Sequence, residues 1–429
     1  MEGRAAEAAG GRPDAPATEL LLRFARVGHD SGYPTADLEE RLLALADALG
    51  VPGAEISATP TVVEVSVGSL ADQRSYTLRV RPKDVDLDAI ARLDELVQDV
   101  LVGLLEPPEA LAAIARVRDE PLRRRWHVQL VGYALAGAAL TPVLGGGWRE
   151  ASAGAVVGLV VGGIAIAFRR AARTEPMVAP LAAVVASFCS VAIARLGFDV
   201  TPDVVTLAAL VTFLPGMTLT IGMRELSTEH LQSGVANTAS ALVQLLGLVF
   251  GVGVGRSIAV SWFGSVGGST PDTAFTSVHL LAAVAAGIAF TVTLRARSRD
   301  ATVMCAATVL ALAANEVGVL VFGKDASAFV AALVVGVVGG VVGSLLRRSS
   351  LVFVVPGVLM LVPGSAGFTS ALQLLANQTV SGITAGFDTF VTAMSIAYGL
   401  MIASVILPRR YAAIQPTRVR GAAARESQP

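Results

Sequence analysis

Charge is what this sequence has least of. Only 16% of its 429 residues are charged, 53% are hydrophobic, and the mean hydropathy is +0.64. A soluble domain carries about a quarter charged residues, so most of this chain must be solvated by lipid. Cysteine is almost as scarce. Cys189 and Cys305 both fall in apolar runs, which excludes a disulfide scaffold and reads as two small buried thiols. Metal-ligand spacing and a phosphate-binding glycine loop are missing too. The sequence therefore suggests no metal centre, no cofactor and no ATP-driven pump, and nothing in it points to nucleic acid. The opening stretch MEGRAAEAAGGRPDAPATE lacks the apolar core of a signal peptide, and residues 1–17 read as a disordered tail.

The charge that is present is unevenly spread. Residues 1–120 hold 22 acidic and 12 basic side chains, a net of −10, whereas the remainder holds 12 and 21, a net of +9. An acidic, water-soluble front domain (18–120) is expected, then a membrane part and a short tail (408–429). In the front domain, PTADLEERLLALADALG repeats apolar residues with helical spacing at Leu38, Leu42, Leu45, Ala46 and Leu49. Asp37 and Glu40 suggest a capping box, and Gly50 with Pro52 a stop. TVVEVSV and RSYTLRV alternate like half-buried strands, with GSLADQ as the turn between them. A second helical pattern runs from Leu87 through Ile90, Leu93, Val97 and Leu101 to Leu104. The result is a small α+β domain, expected in the cytoplasm. GHDSG (Gly28 to Gly32) invites a hydrolase reading, but catalytic triads are assembled in space rather than in a row. A solvated connection is the competing interpretation.

From Trp126 onward, apolar stretches long enough for a ~30 Å hydrocarbon core follow one another. They fall near 126–144, 150–168, 177–196, 203–222, 231–255, 275–294, 301–322, 326–346, 350–370 and 387–407. With the front domain inside, the inner connections carry 17 arginines and the outer ones only 4 basic residues, as the positive-inside rule requires. Ten spans with both termini cytoplasmic are expected.

Two of those spans are interrupted by the residues least suited to a helix interior: TFLPGMTLTIGMREL at Pro215-Gly216, and LMLVPGSAGFTSALQ at Pro363-Gly364. The breaks fall in the fourth and ninth spans, five helices apart. Five is odd, so the second half starts from the opposite side of the membrane. That predicts an all-α membrane part built as two inverted five-helix repeats (121–262 and 263–407), an architecture of many secondary transporters. Pro356-Gly357 offers a competing alignment, off by seven residues. A break in hydrocarbon persists only where protein covers it or water reaches it. Its free amides and positive half-helix end suit a carboxylate. Each dipeptide alone could equally be a simple kink.

Polar residues at membrane depth are few. Glu316, in LALAANEVGVLVF, is the one carboxylate well inside a span, and a charge there costs roughly 3 kcal/mol on insertion scales. It reads as a proton carrier or amine partner, or else as a structural acid paired across helices. Asp388, at the outer end of the tenth span, joins it as a proton-coupling candidate or is simply solvated. Asn237, Ser240 and Gln244 form one polar stripe, which fits a substrate site and interhelical hydrogen bonding equally well. Arg224 and Glu225 read as a pair at the cytoplasmic surface, either a gate or an ordinary solvated pair.

The chain resembles the threonine/serine exporter family from about residue 20 to 407. The likeness rests on LLLRFARVGHDSGYPTADLEERLLALADALG and TVVEVSV in the front part, and on the order and spacing of LPGM and VPGS in the spans. The resemblance implies export of threonine and serine driven by the proton motive force, and points to Pro215, Gly216, Pro363 and Gly364. Around these, Met217, Thr218, Asn237 and Ser365 complete the expected substrate site. A passive channel, an importer, or a hydrolase working through the front domain remain alternative functions, and a homo-oligomer is left open.

Overall fold

The computed structural model describes residues 15–80, 85–119, 125–168, 175–264, 276–346, 348–361, 363–375 and 378–407. The tail at 408–429 and residues 1–14 of the expected tail at 1–17 lie outside them; residues 15–17 are not a disordered tail but open the first helix, since the apolar face that begins at Ala17 is buried. The described residues form two compact units, one built on those up to 119 with 343–349 and 404–407, the other on those within 125–342 and 350–403.

The front unit contains α1 (Ala15–Asp30), α2 (Thr35–Ala48), β1 (Glu55–Ala58), β2 (Val62–Val67), β3 (Arg74–Arg79), α3 (Leu87–Leu101) and α4 (Pro107–Asp119). The strands form an antiparallel sheet in the order β1-β2-β3. Val63, Val65 and Val67 are fully buried, as their alternation predicts. Gly68, at φ 112° and against the Asp72 carbonyl, supplies the turn into β3 in a conformation that side chains resist. β1 was not legible, because EISA is too short to show a period. The Asp37–Glu40 capping box is not formed. α2 starts three residues earlier, after Pro34, so Asp37 lies inside its first turn and no side chain caps the terminus. Asp86 does cap α3, accepting from the Ala89 amide at 3.1 Å.

A buried ionic network ties α2 to α3. Arg41 donates to Asp94 through Nε and Nη2, and the Tyr33 hydroxyl reaches the same carboxylate at 2.6 Å. Arg41 and Asp94 are 7% and 2% exposed, so removing one strands the other's charge. Asp94→Ala should cost about 3–5 kcal/mol. In a differential scan, that would lower the front unit's thermal midpoint by at least ~10 °C. The GHDSG segment is no solvated connection: His29 and Ser31 are each 5% exposed. Nor does it resemble an active serine, because the Ser31 hydroxyl donates to the Val27 carbonyl at 2.7 Å.

The second unit is helical: α5 (Trp126–Val143), α6 (Trp148–Phe168), α7 (Glu175–Arg195), α8 (Pro202–Leu210), α9 (Gly216–Ser227), α10 (Leu231–Phe263), α11 (Thr276–Thr293), α12 (Ala301–Phe322), α13 (Lys324–Leu345), α14 (Leu351–Leu361), α15 (Pro363–Leu375) and α16 (Thr379–Ile406). Ten apolar stretches were expected. Among the described residues, seven helices are long and apolar enough to cross a membrane, and α8 with α9 makes an eighth as a bent pair. The apolar part of α11, Val278–Thr293, is shorter, and α5 does not reach the same criterion.

Glycines bring these helices close. Gly137 and Gly154 pack α5 on α6, and Gly251 and Gly255 pack α10 on α7, each against a carbonyl of the facing helix. Similar contacts recur further along the chain at nearly constant offset. Thr141 donates to the Gly137 carbonyl at 2.7 Å, and Thr291 to the Gly287 carbonyl at 2.8 Å, 150 residues on. Gly145 and Arg295, again 150 apart, both follow their helix ends with positive φ. Gly234 faces Leu226 between α9 and α10, and Gly382 faces Leu374 between α15 and α16, each pair displaced by 148. The two Pro-Gly dipeptides are also 148 apart (363 − 215). Pro356 lies within α14, which continues past it to Leu361.

Candidate substrate site at the broken helix

The fourth apolar stretch is broken where the sequence places Pro215. α8 ends at Leu210, the backbone tightens through a 3₁₀ turn at Val211–Phe213, and Leu214 is extended (φ −69°, ψ 128°). A residue before proline is pushed out of the helical region, and proline has no amide to continue the ladder. α9 restarts at Gly216 with its axis bent 57° from α8.

The break leaves polar groups to satisfy. On its carbonyl side, the Gln244 side chain donates to the Phe213 carbonyl at 2.9 Å, so Gln244 serves as an interhelical prop. On its amide side no side chain caps α9, and the first internal bond is from the Leu219 amide to the Pro215 carbonyl at 2.9 Å. The amides of Gly216, Met217 and Thr218 thus lack intrahelical acceptors and carry the positive end of the helix dipole. Thr212 Oγ1, enclosed in the turn, has no hydrogen-bond partner among the described residues. Thr212 was missed in the sequence, although it stands in the same motif.

The two Pro-Gly elements meet here. A Cβ added at Gly364 would lie 3.0 Å from Leu214 Cβ and 3.1 Å from the Gly216 nitrogen. Any larger residue at 364 would press on the first element, which would have to give by a few tenths of an ångström. The second element is less disrupted than expected. α14 ends at Leu361 and α15 begins at Pro363, and Leu351–Leu374 counts as one span, whereas the first element is bent by 57°. The sequence shows matching dipeptides but not this asymmetry.

The remaining candidates divide. Ser365 follows Gly364 and is half-buried, as is Thr218. Met217 is a packing residue, seated against Ala328, Ala332, Val358 and Ile396. Asn237 does not join the break. Its Nδ2 donates to Glu225 Oε2 at 2.6 Å. Glu225 is 1% exposed, so it is not the solvated half of a surface pair with Arg224; it is a buried acid between α9 and α10. Glu316 and Asp388 are both exposed on the chain. Glu316 shares its face of α12 with Leu320, 84% exposed, while Asp388 sits beside the inward Thr389, 3% exposed. Neither is brought to the break. An apolar cavity of about 670 Å³ lies elsewhere, lined by Met223, Phe329, Phe387, Phe390, Met394 and Tyr398 among others.

A multi-pass helical membrane protein with a broken, uncapped helix inside its bundle has the features of a transporter. Comparison with known proteins gives the family. Residues 19–259 match the family described as "Putative threonine/serine exporter", and residues 276–406 match "Threonine/Serine exporter, ThrE". The chain belongs to the threonine/serine exporter family. It is 26% identical to a "Probable threonine/serine exporter" of Mycobacterium tuberculosis, over 96% of this chain and 81% of that protein. It is 22% identical to the "Threonine/serine exporter" of Corynebacterium glutamicum, over 91% and 82% respectively. A shorter match, 26% identical over 56% of this chain and 31% of the relative, is to "Pheromone-regulated membrane protein 10" of Saccharomyces cerevisiae. No solved structure matches.

Proposed function

We propose that this protein exports threonine and serine across the cytoplasmic membrane in exchange for protons. The observation that carries the reading is the uncapped N-terminus of α9 lying against Gly364. Three free amides at a positive helix end suit the substrate carboxylate. Thr212, Thr218 and Ser365 offer oxygen partners for the substrate hydroxyl or ammonium group.

The wider architecture follows from the same reading. Ten spans form two five-helix halves of opposite orientation, supported by the contacts that recur 148–150 residues apart. The arginine bias places both termini and the front domain in the cytoplasm. Glu316 and Asp388 remain proposals for the proton path. Their exposure requires water or a second copy of the chain to cover that face. Glu316→Gln and Asp388→Asn should each reduce pH-driven efflux several-fold; full activity in either variant removes that residue from the path.

The test of function is the intracellular amino-acid pool. In cells fed a threonine-containing dipeptide, deleting the gene should raise internal threonine several-fold, and restoring it should reverse the rise. An unchanged pool would contradict export. In liposomes, a proton gradient should accelerate threonine release; release that ignores the gradient would indicate a passive channel.

A further inference from the structure

We infer that Glu225 is the carboxylate that takes up and releases the coupled proton, an assignment that rests on the exporter reading above. Glu225 lies on α9, nine residues beyond Gly216, so ~14 Å of rigid helix connects it to the amides proposed for the substrate. It is 1% exposed, enclosed where α9 meets α10. On the neighbouring turns, Leu219 and Met223 pack against Ala241, Ala393 and Ala397.

Asn237, whose Nδ2 donates to Glu225 Oε2 at 2.6 Å, suits both states of the acid. An amide donates to a carboxylate, and it also donates to the carbonyl oxygen of the protonated acid while its own oxygen can accept the acid's hydrogen. The ionisable neighbours can be traced element by element. Arg224 adjoins on α9. Glu229 and His230 occupy the turn to α10, where the His230 amide donates to the Glu225 carbonyl and the His230 ring contacts the Thr228 hydroxyl. α10 adds only Arg256, far along it. α14 and α15, which also pack on α9, contain no charged residue, α13 carries Lys324 and Asp325 at its start, and α16 contributes the exposed Asp388.

The recurring contacts sharpen the assignment. Counting 148 residues on from Glu225 reaches Gln373, and from Asn237 reaches Ala385. The second position thus has the same shape without a titratable group, and alanine replaces asparagine at the position corresponding to Asn237. Gln373 Oε1 is buried without a hydrogen-bond partner among the described residues. One member of the pair can change charge and the other cannot. In the step itself, a hydronium ion on one side gives its proton to the carboxylate, so that one of its O–H bonds breaks, an acid O–H bond forms and water is left. After the chain has reoriented, that bond breaks and the proton passes to water on the other side.

The test uses the full chain in liposomes loaded with threonine. In the wild type, an imposed pH gradient should accelerate net efflux several-fold. Glu225→Gln should reduce that acceleration to about onefold while keeping threonine–threonine counterflow within about twofold of wild type. Glu225→Asp should keep the acceleration with a displaced pH dependence. A Glu225→Gln protein still accelerated by the gradient overturns the assignment and leaves the exporter reading intact. If Glu225→Gln does not fold, an unaltered pH profile in Glu225→Asp overturns the assignment, and a displaced one supports it. Wild-type protein that carries threonine without responding to pH, or does not carry it, overturns the assignment together with that part of the exporter reading.

Discussion

Gly364→Val should abolish threonine efflux while leaving the protein folded in the membrane. Even the first added carbon falls 3.0 Å from Leu214 Cβ and 3.1 Å from the Gly216 nitrogen. Two of the three nearest atoms are Gly216 main-chain atoms, which cannot rotate away as a flexible side chain can. The two Pro-Gly elements must therefore separate, or the new methyl groups must cover the α9 amides. In either case the carboxylate loses its donors. Lost hydrogen bonds to a charged group are worth about 1.5–3 kcal/mol each, so efflux should fall by more than ~10-fold. Alanine at the same position should be intermediate. Gly253→Val is the control: nothing lies within 4 Å of an added Cβ there, and transport per folded molecule should be unchanged. Reconstituted efflux, normalised to monodisperse protein, measures all three.

Gly255→Val should act on the fold instead. An added Cβ at Gly255 would overlap the Val184 carbonyl, and one turn earlier Gly251 stands in the same relation to the Pro180 carbonyl. Gly247, Gly251 and Gly255 thus make a smooth ridge that lets α10 lie against the α7 backbone. Lipid gives apolar helices little reason to associate, so close backbone packing carries much of their affinity. Overpacking costs about 1–3 kcal/mol where side chains can yield, and more here, where the obstruction is main chain. Monodisperse protein recovered by size exclusion should fall by more than ~10-fold. Recovery equal to wild type would show that the two helices do not meet along this ridge.

Much of the helical layout was legible because hydropathy speaks loudly in membrane segments. The ten apolar stretches fall on helices, the fourth and ninth each on two and the tenth on α16, which starts at Thr379; among the described residues seven or eight spans are long and apolar enough to cross a membrane. The break at Pro215 was legible for a local reason: proline and its predecessor constrain the backbone whatever surrounds them. What the sequence concealed depends on neighbours. Glu225 sits beside Arg224 near the end of a polar stretch, and nothing local distinguishes a buried acid there from a solvated one. Its burial and the Asn237 side chain reaching across from α10 mark it. Glu316 shows the converse. Its apolar flanks suggested an enclosed position, yet its face of α12 is exposed. The milder break at Pro363 belongs to the same class, since an identical dipeptide gives a sharp bend in one setting and a nearly continuous span in the other.

The most direct measurement is substrate protection at the meeting point of the two Pro-Gly elements. In a protein with Cys189 and Cys305 replaced by alanine, single cysteines at Thr218 and Ser365 can be alkylated in liposomes with and without threonine. Variants that still transport should both be protected by threonine, with serine protecting comparably, whereas a single cysteine at Val243, 70% exposed on α10, should not respond. Transporting variants whose alkylation rates at Thr218 and Ser365 ignore saturating threonine would contradict a substrate site between the two elements.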